Sequence, residues 1–199
     1  MSLDGDTVPN EIHGITEFFL QCRRVSIDDV NQIAVFSDVP VVSRFATCFR
    51  SVLDGIPDLD KQPILKHWVQ GKGLSCDERE ILQRLRLLRA PIILFWGEDT
   101  DVLDESGRRI RPAHTVEPGH MMKFCSYILA TLPHDVVSAV VAHELAHVHL
   151  YATSTGSAAI TMDREEIETA AEETMRIWGF DNQTIHDGLR THLLALEKS

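Results

Sequence analysis

The sequence predicts an α+β fold: a helical N-terminal region, a small twisted β-sheet, a helix carrying His-Glu-x-x-His, a glutamate-rich helix and a C-terminal helix. Three observations lead there. Apolar residues recur at helical spacing through residues 1–89. From Pro91 onward, short apolar runs with β-branched and aromatic residues alternate with turn residues. Val140–Val148 then sets His143, Glu144 and His147 inside an apolar, helix-forming run.

Taken in order, Ile12, Ile15, Phe18, Phe19 and Cys22 mark a first helix over 10–24. Ser26 with Asp29 three residues on reads as a second helix start leading into Val30 and Ile33, with Pro40 as its interruption. Val42, Phe45, Phe49 and Val52 give a third helix that runs to Gly55. Ile64, Leu65, Trp68 and Val69 give a fourth, closed by Gly71 and Gly73. Ser75 and Glu78 form a capping box for a helix carrying Ile81, Leu85 and Leu88.

Beyond Pro91, Ile92–Trp96 reads as a strand and Asp104–Gly107 as a turn, with Arg108, Arg109 and Arg111 on a solvated arm. Pro118-Gly119 makes the next turn, and Met121–Ala130 reads as a further strand. Pro133 and Asp135 mark the start of the motif helix, Asp135 favouring the positive end of its dipole. Val136, Val137, Val140, Val141, Leu145 and Val148 supply its buried side. A Gly/Ser/Thr-rich loop follows over 152–161. Asp163 and Glu166 then open a helix with the stripe Ile167, Ala170, Ala171, Thr174 and Trp178, closed by Gly179 and Phe180. A last helix over 182–197 carries Ile185, Leu189, Leu193 and Leu196.

A chain of 199 residues suits one compact unit, in which the helical N-terminal region, residues 1–89, packs on residues 90–199, which hold the motif. The net charge of −11 argues against nucleic acid or anionic membrane as the main partner. No apolar run approaches the roughly 20 residues of a membrane span. The polar, acidic start, Met1–Asn10, lacks the basic and apolar segments of a leader, which points to the cytoplasm. Cys22, Cys48, Cys76 and Cys125 are scattered without a Cys-x-x-Cys pair, as expected of reduced, mostly buried thiols.

Residues four apart stack on one helix face, so His143 and His147 can share one zinc ion, and Glu144 can reach a water beside it. Catalytic zinc takes three protein ligands and leaves one position open. The extended motif would put a third histidine six residues after the second and a glycine midway; Thr153 and Leu150 stand there instead. A thermolysin-like arrangement takes a glutamate from the next helix, which offers Glu165, Glu166, Glu168, Glu172 and Glu173. Glu165 points away from the apolar stripe. Glu168 borders one edge and Glu166 and Glu173 the other, so periodicity leaves those three open.

The segments Glu168-Thr-Ala-Ala-Glu172, Trp178-Gly179-Phe180, Leu132-Pro133 and Val141–His147 together resemble the gluzincin metallopeptidases. Within them, residues 91–180 are similar to the minigluzincins, to soluble domains related to the CAAX-processing peptidases and to the ImmA/IrrE type. The resemblance implies a zinc metalloendopeptidase of peptide or protein substrates, with His143, His147 and Glu168 as zinc ligands and Glu144 as general base. It implies Glu172 as a carboxylate hydrogen-bonded to a ligand histidine, where aspartate is usual, and Met121–Ala130 as the strand beside the cleft, to which a peptide adds as a further strand. An oxyanion stabiliser is expected from among Tyr127, Tyr151, His149 and His120. His114, His186 and His192 read as surface residues. Some minigluzincins are held inactive by a segment over the cleft; here the last helix or the N-terminal helices would serve. The alternatives are a non-peptidase zinc hydrolase and a regulatory or binding module with a structural or degenerate zinc site.

Overall fold

The structure, a computed structural model, describes residues 23–27, 33–37, 43–70, 76, 92–96, 112–116, 119–154 and 162–196. The fold is α+β. Strands β1 (Arg23–Ile27), β2 (Ile33–Ser37), β3 (Ile92–Trp96), β4 (Ala113–Val116) and β5 (Met121–Cys125) form a mixed sheet in the order β1-β2-β3-β5-β4. Its interior pairs, β2·β3 and β3·β5, are parallel, whereas β1 and β4 run antiparallel to their neighbours at the two ends. Parallel neighbours need a long crossover. Between β2 and β3 that crossover holds α1 (Ser43–Gly55) and α2 (Asp58–Gln70). The remaining helices among the described residues are α3 (Ser126–Thr131), α4 (His134–Thr153), α5 (Arg164–Ile177) and α6 (Asn182–Leu196).

The N-terminal region is therefore not all-helical. The start expected at Ser26 falls inside β1, and Ile33 opens β2. Both strands are five residues long and rich in valine and isoleucine, which the pleated surface favours. A Ser-x-x-Asp pattern carries no information about a partner strand, and the pairing of Val25 with Val35 decides the outcome. Of the helix expected over 10–24, residues 10–22 fall outside the described residues and Arg23 and Arg24 lie in β1 instead. The helix from Ser75, apart from Cys76, and the Asp104–Gly107 turn also fall outside the described residues. Cys76 is exposed, unlike the buried thiols Cys48 and Cys125.

The run expected to be one strand over Met121–Ala130 is two elements. Strand β5 stops at Cys125 and α3 begins at Ser126. An unbroken apolar run fits a buried strand and a buried helix equally well, so hydropathy could not place that boundary. Of the turn expected at Pro118-Gly119, the described residue is Gly119, which has φ 92° and whose N–H donates to the Val116 carbonyl at 2.7 Å.

Helix α4 is the centre of the molecule. Helices α1, α2, α5 and α6 and strand β4 all pack on it. It is buried on nearly every side, by Val136, Val137, Ala139, Val140, Val141, Ala142, Leu145, Ala146 and Val148. The six residues expected on its buried side are all buried, and Ala139, Ala142 and Ala146 extend that burial around the middle of the helix. Its valines are only moderate helix formers, so tertiary packing rather than propensity holds this helix. Among the described residues, no helix is long and apolar enough to cross a membrane.

Helix α5 starts and stops as its sequence demands. Glu166 N–H donates to Asp163 Oδ1 and Asp163 N–H donates to Glu166 Oε2, both at 2.9 Å, completing the capping box. At the other end Phe180 N–H reaches the Met175 carbonyl and Gly179 N–H the Arg176 carbonyl, with Gly179 at φ 89°. The indole of Trp178 then donates to Asp60 Oδ2 at 2.9 Å, tying the end of α5 to α2.

Candidate metal centre

Helix α4 presents His143 and His147 one turn apart, their rings crossing at 83° with centroids 4.8 Å apart. Beside them α5 presents Glu168. The His143 Nε2 and His147 Nε2 atoms lie 3.1 Å apart, and Glu168 Oε2 lies 3.2 Å from the first and 3.3 Å from the second. Three electron-pair donors thus form a near-equilateral triangle that can hold a metal ion. The other two glutamates left open by periodicity are used elsewhere. Glu166 closes its own helix cap, and Glu173 lies 3.6 Å from Arg176 on the exposed face.

The carboxylate of Glu168 and the ring of His143 stabilise each other's charged forms. Burial pulls the His143 imidazolium down, but the Glu168 hydrogen bond and the charges of Glu144, Glu168 and Glu172 outweigh it and hold the ring above its ordinary value. Hydrogen bonds from His143 and His147 overcome burial and hold Glu168 well below the usual carboxylate range.

Glu144 points off the same helix and is only 5% exposed. Its Oε2 accepts a hydrogen bond from Thr115 Oγ1 at 2.6 Å. The triangle and Glu144 line a cleft of about 490 Å³ whose other walls are Pro112–Thr115, Val140, Tyr151, Arg164, Ile167, Asn182 and Ile185. The strand beside the cleft is therefore β4, the end strand among the described residues. Met121–Cys125, expected there, lies one strand further in. Strand order is set by non-local pairing, and β4 was too short to be read from the sequence.

Glu172, expected to hydrogen-bond one of the motif histidines, reaches neither His143 nor His147. It accepts a 2.6 Å hydrogen bond from Asn182 Nδ2 on α6, while His143 Nδ1 is buried with no partner among the described residues. Glu172 lies one turn beyond Glu168, near enough to act on His143 through its charge alone.

Of the oxyanion candidates, Tyr151 lines the cleft, one turn beyond His147. His149 faces Asp60 and the Trp178 ring instead, and His120 is buried against His67 with ring centroids 4.5 Å apart. The Tyr127 side chain falls outside the described residues. His186 is exposed, as expected, with Nε2 at 3.2 Å from Asn182 Nδ2. His114, also exposed, stands at the cleft. The last helix contributes Asn182 and Ile185 to the cleft wall.

Sequence reasoning did not single out Thr115 or Arg164. The first had a signal of a kind, a β-branched pair, Thr115-Val116, before a Pro-Gly turn. Arg164 had none, since a charged residue at the start of a helix looks the same whether it faces solvent or a cleft. No family model, no curated protein and no solved structure matches the chain.

Proposed function

We propose that the protein is a zinc-dependent metallopeptidase in which His143, His147 and Glu168 hold the metal and Glu144 is the general base. One observation carries the reading: two imidazole nitrogens and a carboxylate oxygen converge at 3.1–3.3 Å on the wall of a cleft that also contains Glu144. Zinc bound tetrahedrally by nitrogen and oxygen at about 2.0–2.1 Å would have its donors about 3.3 Å apart. The residues present fit that ion.

Among the described residues the cluster has three members and no fourth. Structural zinc takes four protein ligands, whereas catalytic zinc keeps a position open, so this count favours chemistry over a purely structural role. Bound there, zinc supplies Lewis acidity, which acidifies water and polarises a carbonyl. Glu144 takes the proton from the attacking water and passes it to the leaving amine. Tyr151, on the same helix face as the histidines, is our assignment for the donor to the developing oxyanion.

The sheet supports a peptide as substrate. Strand β4 pairs with β5 on one side and ends the strand order on the other, with Ala113, His114 and Thr115 at the cleft. Its outer edge can pair with an extended peptide. The finer layout we propose is a metallopeptidase unit of this edge strand, the motif helix, the glutamate helix and α6 as the far wall.

Elemental analysis of the purified protein tests the assignment. We expect about one zinc per chain in the wild type and in Glu166→Ala, and loss of zinc in Glu168→Ala. Peptide hydrolysis by the wild type but not by a zinc-loaded Glu144→Gln completes the test. A wild type that takes up no zinc on reconstitution ends the reading.

A further inference from the structure

We infer that Thr115 is the positioning residue of the general base, linking Glu144 to the strand along which substrate is seated; the inference rests on the metallopeptidase reading. Thr115 Oγ1 lies 2.6 Å from Glu144 Oε2 and 3.1 Å from the Glu144 main-chain carbonyl. A hydroxyl has one hydrogen to give. The shorter contact, to an anionic acceptor, takes it. Both residues are 5% exposed, so the carboxylate sits where water cannot readily replace this donor.

Two consequences follow. One oxygen of Glu144 is committed to Thr115, which fixes the rotation of the carboxylate and leaves the other oxygen to exchange protons in the cleft. The donor also belongs to β4, whose Ala113 and His114 stand at the same cleft and whose outer edge would hold the peptide. Substrate register and base orientation are thereby set by one four-residue strand. A shift of β4 that misplaced the scissile bond would lengthen the Thr115–Glu144 bond as well. Proximity effects are steep enough for such a coupling to matter, with displacements of about 1 Å costing on the order of a hundredfold.

Three variants test this in the full chain: Thr115→Val, which has the same shape without the hydroxyl, Thr115→Ser, which restores it, and Glu144→Ala. A positioned general base contributes about 10²–10⁴-fold, so losing its orientation should lower kcat about 10- to 100-fold in Thr115→Val. KM and zinc content should stay near wild type, and Thr115→Ser should recover most of the rate. A second readout needs no turnover. In thermal unfolding of the metal-free protein, Thr115→Val should lower Tm more when Glu144 is present than in the Glu144→Ala background, where only the main-chain carbonyl remains as acceptor. Equal loss of Tm in both backgrounds marks Thr115 as packing alone and overturns the inference. So does a wild-type kcat in Thr115→Val, or a Thr115→Ser variant as slow as Thr115→Val. Absence of zinc and turnover from the wild type would defeat the functional reading instead, while the unfolding cycle would still decide the Thr115–Glu144 coupling.

Discussion

Gly188, on α6 at the wall of the cleft, packs directly against Val136 of α4. A Cβ placed there would lie 2.5 and 2.7 Å from the two methyl carbons of Val136 and 3.1 Å from its Cβ. Rotation about χ1 cannot relieve the last contact, because Cβ does not move. To restore ordinary contacts of about 3.5–4.0 Å, α6 must back away from α4 by roughly 1 Å. Overpacking of this kind costs about 1–3 kcal/mol, and the immovable Cβ argues for the upper half of that range. Alanine returns about 1 kcal/mol through its better helix propensity. The net loss for Gly188→Ala is then about 1–2 kcal/mol, or roughly 2–8 °C in Tm for a chain of this size. The assay is thermal unfolding of Gly188→Ala, Val136→Ala and the double variant. Trimming Val136 makes room for the new methyl, so the double variant should be more stable than the sum of the single effects by about 1–2 kcal/mol. A Gly188→Ala protein at least as stable as wild type, or strictly additive effects, would refute the close-packing argument.

Three further outcomes are expected. On the proposed assignment, zinc would have to displace the proton that Glu168 and its neighbours hold on His143, a proton retained to higher pH than on a free imidazole. Apparent zinc affinity should therefore fall as pH drops through that raised value, about tenfold per unit for each proton displaced, in competition titrations against a chelator; affinity independent of pH from about 6 to 8 would contradict this. Asp60→Ala removes the acceptor of the nearly buried Trp178 indole, so stability should drop by about 1–3 kcal/mol with a change in tryptophan fluorescence, and an unaltered denaturation midpoint would show that the bond contributes little. Under the proposed mechanism, Tyr151→Phe should keep its zinc but lose about 10²–10³-fold in kcat; if the rate is unchanged, another group stabilises the oxyanion.

Much of the site was legible because its first half is local. A helix places residues four apart on one face whatever surrounds it, so His143 and His147 follow from spacing alone. The capping box of Asp163 and Glu166 and the Gly179 helix end are equally local, resting on a few consecutive backbone groups. The strand Ile92–Trp96 and the motif helix were legible for the same reason.

Other features depend on how separate elements dock. Periodicity could not choose among Glu166, Glu168 and Glu173, because which edge of a helix turns inward depends on the neighbour it packs against; only the docking of α5 on α4 brings Glu168 Oε2 within 3.3 Å of both histidines. The strands Arg23–Ile27 and Ile33–Ser37 were missed because each is stabilised by pairing with another strand, which helical spacing rules do not register. Thr115 met Glu144, and Glu172 turned to Asn182, through contacts between elements that no spacing rule encodes. Residue order alone settles what one helical turn settles: a pair of histidines with a glutamate between them. Packing of separate elements around α4 selects which carboxylate joins that pair and which strand faces it, because those choices depend on energies summed over residues far apart in the chain.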